Sequence, residues 1–383
     1  MFELNEVPWE IVDDYVAARP ASALARVLAG SHCYTSMTAD QGHLSPWTTW
    51  PTLHRGVNDE QHMIASFGQD RSLADQRFPP IWSLLHEAGV SVGVCGTLHS
   101  SPAPDDLDAY AFYLPDAFAS EPVAHPPELV DFQRFNLAMS RESARNVDTG
   151  IAKDALEVVR HSRRLGIRPA TYAALGRHLL AERRRPAMTN RRRTFQSVLL
   201  LDIFAHQLRR SRPRFSTFFT NHVASAMHRY WAAYRPGDYQ RLGLGEDWVE
   251  TFRDEVMWAT GQAADMIGRL ADQVDANPGA QLWIASSMGQ RATMAETLET
   301  QVYLTHPAPS SRPWPSPARA PGSGGRPCCP SSTWSSRPPT PTRSTPPWTP
   351  SGWAASPSPS SGPTTASSPS TSASRTCTTS RTR

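Results

Sequence analysis

The C-terminal part of the chain constrains the fold most, because it lacks the residues that build a hydrophobic core. From Pro309 to Arg383 the sequence contains no Leu, Ile, Val, Phe, Met, Lys, His, Asp or Glu. Such a segment cannot bury enough apolar surface to offset the entropy that the chain loses on folding. We therefore predict a disordered tail over residues 309–383 and a folded domain over residues 1–308.

The residue types of this tail also indicate translation in the wrong reading frame. They are Pro, Ser, Thr, Ala, Arg, Gly, Cys and Trp, all of which have C or G as the second base of a codon. That restriction is expected when a GC-rich gene is read out of frame. A back-translation of residues 326–353 and 362–380 in the neighbouring frame is compatible with strand-like and helix-like apolar patterns. A genuine Pro- and Ser-rich linker is the alternative interpretation.

The charge of the chain is divided unevenly between the two parts. The tail has eight arginines and no acidic residue, so subtracting its +8 from the whole-chain charge of +3 leaves −5 on residues 1–308. The basic pI therefore belongs to the tail and does not indicate a nucleic-acid partner. Within the body, residues 160–214 hold fifteen arginines and only two acids. This segment is either an anion-binding face or a solvated helical face, and it lacks the interleaved aromatic residues typical of RNA binding.

The body has the features of a cytoplasmic protein. Its two cysteines, Cys33 and Cys95, are too few for a framework of disulfides. The first residues do not form a basic segment followed by an apolar run, and no stretch of 18 apolar residues occurs. We expect neither a signal peptide nor a membrane span.

The apolar patterns of the body alternate between strand and helix. The predicted strands are Phe2–Leu4, Val90–Cys95, Phe215–Thr220 and Leu282–Ala285. The predicted helices begin near Pro8 and Pro80 and extend along residues 248–274, whereas residues 43–68 are rich in turn signals. Residues 129–210 read as a helical insertion. This order predicts an α/β domain with a mostly parallel sheet sandwiched by helices and with its last strands missing.

Three segments resemble motifs of one family when they are taken in order. Leu44–Thr52 reads Leu-Ser-Pro-Trp-Thr-Thr-Trp-Pro-Thr and is followed by Gly56 and His62-Met63-Ile64. Residues 79–102 follow as a helix and a strand, and Gln281–Gln290 contains Ser286-Ser287-Met288-Gly289. Together they are similar to the nucleophile segment, the next helix–strand unit and the Ser-Asp-His-Gly segment of the type I phosphodiesterase/nucleotide pyrophosphatase branch of the alkaline phosphatase superfamily.

The resemblance implies a fold and a chemistry. It implies an alkaline phosphatase-like sheet and two divalent metal ions, zinc or manganese, that activate a threonine or serine oxygen. It makes Thr49 the candidate nucleophile, with Thr48 and Thr52 as alternatives, and a small phosphorylated or sulfated compound the substrate. The competing interpretation is that these threonines only stabilise a Pro-rich turn.

Several positions depart from the family pattern. Asn5 stands where the family has its first-strand Asp, and His228 is the ligand kept from the Asp-x-x-Gly-His motif, in which Ala224 replaces the Asp. Ser287 and Met288 replace the Asp-His pair. Asn5 and His228 remain the candidate metal ligands. Since Asn and Ser are poor ligands for such ions and Met is soft, these departures argue against a conventional two-metal centre. The first hypothesis is a phosphodiesterase- or phosphatase-like hydrolase that acts on a phosphate or sulfate ester through a threonine nucleophile at a metal site. The departures favour the second hypothesis, a non-catalytic member that binds an anionic ligand or a partner protein.

The segment after the third predicted strand supplies two further candidates. Asn221 and His222 follow Thr220 directly and precede a helix, a place where α/β sheets often bind substrates. We expect both to bind substrate. The alternatives are that His222 is a buried structural histidine and that His228 is a helix residue without a ligand.

Overall fold

A mixed seven-stranded sheet forms the centre of the domain. The computed structural model describes residues 1–145, 151–293 and 373–379. The strand order is β2-β7-β6-β1-β5-β3-β4. The strands are β1 (Phe2–Leu4), β2 (His32–Met37), β3 (Val92–Cys95), β4 (Phe112–Leu114), β5 (Phe215–Thr220), β6 (Leu282–Ala285) and β7 (Ala373–Thr379). The five strands from β6 to β4 are mutually parallel, whereas β7 runs antiparallel to β6 and to β2.

Helices flank the sheet and fill the segment between β4 and β5. The first six are α1 (Trp9–Ala18), α2 (Ala23–Ala29), α3 (Pro46–Arg55), α4 (Asp59–His62), α5 (Ser72–Arg77) and α6 (Ile81–Glu87). The others are α7 (Val130–Arg145), α8 (Ile151–Arg160), α9 (Ser162–Leu165), α10 (Pro169–Arg184), α11 (Arg192–Ser211), α12 (His222–Tyr234), α13 (Glu246–Phe252) and α14 (Glu255–Asp275). Four short 3-10 segments lie at Leu107–Ala109, Pro127–Leu129, Pro186–Arg191 and Pro236–Leu242. Among the described helices none has the length and apolar composition that crossing a membrane requires.

Alternation along the strands separates two faces of the sheet. Phe2, Phe112 and Phe218 point to the larger core, which also contains residues of α1, α2, α11, α12 and α14. Val92 and Val94 point to the other face and pack with Trp82 of α6. Because both faces are covered, the predicted arrangement of a mostly parallel sheet between helices is confirmed.

The predicted order of elements is largely confirmed, with two corrections. Residues 46–55 form the helix α3 rather than a series of turns, because Pro46 occupies the first helical position, where no amide donor is needed. Pro51 is accommodated inside this helix, which ends at Gly56 with φ 65°. The predicted helix over residues 248–274 is two helices, since α13 ends at Phe252 and α14 begins at Glu255.

One segment of the tail lies within the described residues. Ala373–Thr379 forms β7 between β6 and β2. Parallel and antiparallel ladders are made by backbone groups, so a segment without a core residue can still pair with two strand edges. The predicted domain boundary at residue 308 lies outside the described residues.

Candidate functional site

The carboxyl ends of the parallel strands meet at one edge of the sheet. Asn5 follows β1, Asp116 lies just beyond β4, Asn221 follows β5 and Ser286 follows β6. In parallel sheets this edge is where ligands commonly bind. The structure therefore brings the predicted residues Asn5 and Asn221 to the same edge, as the strand pattern indicated.

A direct chain of hydrogen bonds holds Asn5, which stands at one of the family's metal-ligand positions. The indole Nε1 of Trp50 donates to Asn5 Oδ1 at 2.7 Å, and Asn5 Nδ2 donates to Asn221 Oδ1 at 2.7 Å. Trp50 is fully buried and Asn5 nearly so. The amide of Asn5 is thus held between α3 and β5 by neutral groups.

Thr49 lies on the first turn of α3 and its hydroxyl is already bonded. It contacts Ser287 Oγ at 2.8 Å and donates to the carbonyl of Ser45, 3.1 Å away. Only 2% of Thr49 is exposed. Thr52, one of the alternatives, contacts His62 and donates to Asp40 instead. The structure thus places Thr49 at the expected edge but engages its hydroxyl with Ser287, which stands where the family has a metal ligand.

The residues present at this edge do not fit a two-metal centre. The parts of the chain that the structure describes contain no group of three or more His, Cys, Asp or Glu side chains that could hold a metal ion. Asn5 is bonded to Trp50 and Asn221, and Thr49 to Ser287. Neutral amides and hydroxyls that satisfy one another offer no anionic or imidazole donor set. The ligand roles of Asn5 and His228 stay predictions that this geometry does not favour.

His228 pairs with a residue that follows β1. Its Nε2 lies 2.9 Å from Glu6 Oε2, and Gln290 Nε2 donates to the same carboxylate oxygen. The hydrogen bond with Glu6 raises the pKa of His228, against the opposite effect of partial burial. Since 63% of the His228 side chain is exposed, the ring is accessible to a ligand at the site.

His222 is held by bonds on both ring nitrogens. Thr220 Oγ1 lies 2.6 Å from Nδ1, and the carbonyl of Ala259 lies 3.1 Å from Nε2. Burial lowers the pKa of His222 to about 4. A neutral ring that donates from Nε2 and accepts at Nδ1 satisfies both contacts. This geometry supports the structural interpretation of His222 over substrate binding.

A cavity of about 370 Å³ opens beside this edge. Its volume is within the range of small-molecule sites. The helical insertion forms part of its wall through α7 and α11, and α12 and the ends of β3, β4 and β5 form the rest. Asn221, His222 and His228 all line it, so three of the predicted site residues share one cavity.

The cavity receives one arginine from the Arg-rich insertion. Arg191 makes a bidentate pair with Glu255, and Arg192 makes one with Glu182. The next residue, Arg193, lines the cavity, and no ion pair between described residues involves it. The insertion is therefore neither a uniform anion-binding face nor a uniform solvated face. Two of these neighbouring arginines pair with glutamates, and the third lines the cavity.

Asp116 is a site residue that the sequence did not reveal. It lines the cavity, and its Oδ1 accepts from the amide of Phe118 at 2.9 Å. Burial raises the pKa of Asp116 to about 6. The signal was an acidic residue just after a short apolar run, Phe112–Leu114, which three residues are too few to identify as a strand.

Two solved structures are similar to this chain. One is phosphonoacetate hydrolase from Sinorhizobium meliloti 1021 in complex with phosphonoacetate, with a TM-score of 0.37, 14% identity and coverage of 75% of this chain and 55% of that chain. The other is the alkaline phosphatase of Thermus thermophilus, with a TM-score of 0.38, 14% identity and coverage of 75% of this chain and 59% of that chain. Both are members of the alkaline phosphatase superfamily.

Neither solved structure is matched over its whole length. This chain spans little more than half the length of either solved structure. No family model and no curated protein matches the sequence.

Proposed function

We propose that this protein binds a small phosphorylated or sulfated compound in the cavity at the carboxyl edge of the sheet. The observation that carries the proposal is Arg193, which turns into the cavity while the two arginines before it are paired with glutamates. Arg229 and His228 of α12 line the same cavity. A guanidinium matches the geometry of phosphate and sulfate oxygens.

The start of α12 adds to the attraction for an anion. This helix of 13 residues begins at His222, and Asn221, its N-cap, makes no capping bond with its side chain. The Asn221 oxygen accepts from Asn5 instead. Free amide groups and the helix dipole at such an end favour a bound anion. The start of α12 and Arg229 belong to the same wall of the cavity.

Binding of this kind does not depend on the two metal ions that the family resemblance implies. The described residues at the edge do not fit a metal centre, so no step through a metal is part of the proposal. We expect the purified full-length chain to hold fewer than about one equivalent of zinc or manganese. Chelation should leave its affinity for phosphate unchanged. Elemental analysis with about two tightly bound ions per chain would contradict this expectation.

Calorimetric titration of the full-length chain with inorganic phosphate and with phenyl sulfate tests the binding proposal. Arg193→Gln should lower the affinity for both anions by about tenfold, because it removes a guanidinium that forms no ion pair with a described residue. Arg183→Gln is the matched control, since Arg183 is an exposed arginine of α10 and does not line the cavity. Equal affinities in the two variants would overturn the proposal.

Hydrolysis of a phosphate or sulfate ester is the second candidate function. It is favoured by the position of Thr49 on the first turn of α3, beside Ser287 at the end of β6. As nucleophile, the Thr49 oxygen would attack the phosphorus or sulfur atom and release the alcohol. The hydroxyl would first have to leave its bonds to Ser45 and Ser287, since the described structure buries it.

Turnover of 4-nitrophenyl phosphate and of bis(4-nitrophenyl) phosphate tests this candidate. Thr49→Ala should abolish turnover with little change in melting temperature, whereas Thr48→Ala, one residue along the same helix, should retain it. A loss of activity that only follows the fraction of folded protein in both variants would identify Thr49 as a structural residue. No turnover by the unmodified chain would leave binding as the function.

A further inference from the structure

The two arginines lie on one side of the cavity. A smaller pocket next to it is lined by Arg193 and Arg229 as well, together with Ser225 and His222. The residues from α7 and the segment after β4 line only the larger cavity. The cavity thus has a cationic side and a side formed by α7 and the end of β4.

A chain of side-chain amides determines which atoms the second side presents. Gln133 Nε2 donates to the carbonyls of Pro115 and Asp116, each at 3.2 Å, and Asn136 Nδ2 donates to Gln133 Oε1 at 3.1 Å. Gln196 Nε2 then donates to Asn136 Oδ1 at 2.6 Å. Gln133 and Asn136 are almost completely buried. Each amide nitrogen is used as a donor, so every orientation in the chain is set by its neighbour.

The chain ends on a free acceptor. No described residue donates to Gln196 Oε1, and this oxygen is not among the buried polar atoms that lack a partner. Since Gln196 lines the cavity, its oxygen is open to a ligand there. Asp116 lines the cavity as well, and its carboxylate oxygens accept the backbone amides of Phe118 and Ser101. The second side therefore presents hydrogen-bond acceptors, one neutral and one acidic.

Apolar residues lie between these polar groups. Leu98, Leu200 and Phe219 line the cavity near the end of β3 and β5, and Phe118 lines it beside Asp116. Such side chains pack against the C–H face of a ring but form no hydrogen bonds. A ligand that fits all three features has an anionic group, several hydrogen-bond donors and a carbon skeleton with an apolar face.

Resting on the proposed function, we infer that the ligand is a phosphorylated or sulfated polyhydroxy compound, with its hydroxyl groups donating to Asp116 and Gln196 Oε1. Hydroxyl groups match both acceptors, whereas a phosphate oxygen would be repelled by them. An aryl phosphate satisfies the apolar wall alone and leaves both acceptors without donors, which costs binding free energy when they are desolvated. An ammonium group satisfies Asp116 but leaves the neutral oxygen of Gln196 unused.

Titration calorimetry of the full-length chain at about pH 7.5, where Asp116 is ionised, tests this inference. The probes are glucose 6-phosphate, glucose 6-sulfate, phenyl phosphate, 2-aminoethyl phosphate and inorganic phosphate. We expect a glucose ester to bind at least about tenfold more tightly than the other three probes. Phenyl phosphate or 2-aminoethyl phosphate binding as tightly as the glucose esters would overturn the inference.

Variants identify the groups responsible. Asp116→Asn and Gln196→Leu should each lower the preference for glucose 6-phosphate over inorganic phosphate by about tenfold, because each removes one acceptor. Arg193→Gln should lower the affinities for glucose 6-phosphate and inorganic phosphate by the same factor, so that the ratio of the two affinities is unchanged. Melting curves show whether each variant is folded. If Asp116→Asn does not fold, Gln196→Leu, which changes a half-buried position, still tests the inference. An unchanged ratio in both variants contradicts the inference, whereas no binding of any anion contradicts the proposed function itself.

Discussion

Glu3 and His54 bring a carboxylate and an imidazole together in the interior. Glu3 lies on β1 and His54 on α3, their side chains are 0% and 1% exposed, and Glu3 Oε1 is 3.0 Å from His54 Nε2. Trp50 stacks on the imidazole with ring centroids 5.3 Å apart. This pair anchors the helix that carries Thr49 to the central strand, so it positions the candidate site without lining the cavity.

Removing one partner should therefore destabilise the fold. His54→Ala leaves the Glu3 carboxylate buried without its partner, and we expect a loss of about 3–5 kcal/mol in the free energy of unfolding. Urea unfolding measures it. His43→Ala, at an exposed position of the preceding loop, should cost about 0.5 kcal/mol or less. Similar values for the two variants would show that the buried pair does not anchor α3.

His228 predicts a pH dependence of anion binding. Its pKa is raised by the hydrogen bond with Glu6, so the imidazolium is fully present below its ordinary pKa and is lost as pH rises through the raised value. A sulfate ester has a fixed charge, and Asp116, with a pKa of about 6, stays ionised above about pH 7. Phenyl sulfate should then bind roughly fivefold more weakly at about pH 9 than at pH 7.

The His228→Gln variant separates this effect from other titrations. The groups in contact with His228 are Glu6 and Gln290, and Arg229 follows it on the same helix. The variant should bind phenyl sulfate with the same affinity at both pH values. A slope equal to that of the unmodified chain would show that another group titrates.

At the scale of elements, β3 and β4 pair closely because one residue has no side chain. Gly93 faces Phe112 across the parallel pair, and a Cβ at Gly93 would lie 2.2 Å from the nearest ring atom. Phe112 is 1% exposed and belongs to the main core. The close approach of these two strands fixes the segment after β4, where Asp116 enters the cavity.

Gly93→Ala should accordingly lower stability by about 1–3 kcal/mol, because Phe112 has no free space to move into. Gly176→Ala is the matched control, since Gly176 lies in α10 with no atom within 4 Å of the added methyl group. That variant should gain about 0.5–1 kcal/mol from the higher helix propensity of alanine. Thermal unfolding of both proteins is the measurement, and a neutral Gly93→Ala would contradict the packing argument.

At the scale of the whole molecule, the far edge of the sheet depends on the tail. β7 pairs with β6 on one side and with β2 on the other, and β7 is the strand through which β2 joins the sheet. The exposed strand β2 contributes six residues without a buried side chain. Backbone pairing is therefore the main interaction of this edge.

A chain that ends at residue 308 tests the role of this pairing. Without β7 the edge of β6 is open, and an open edge of a parallel sheet promotes association with other chains. We expect a lower melting temperature and aggregation relative to the full-length chain. If the tail is an out-of-frame product that adds nothing to the fold, both chains should melt alike, and resequencing of the gene would then test the frame directly.

Local patterns were sufficient for most of the parallel sheet. Val90–Cys95, Phe215–Thr220 and Leu282–Ala285 were predicted as strands and observed with nearly the same bounds, because strands buried on both faces are short apolar runs. β4 was missed since its three residues are too few to show a period. α3 was missed because Pro46 and Pro51 are residues typical of turns, and the helix has no side-chain capping bond at its start.

The sequence by itself determined four of the five parallel strands, the loss of core residues from residue 309 onward, and the placement of Asn5, Asn221 and Ser286 at strand ends. These follow from side-chain period and composition, which are local. Only the tertiary structure decided which polar groups satisfy one another. Asn5 is bonded to Trp50 and Asn221, Thr49 to Ser287, and Arg192 to Glu182. Arg193 is left facing the cavity because pairing depends on distances across the fold, which residue order does not contain.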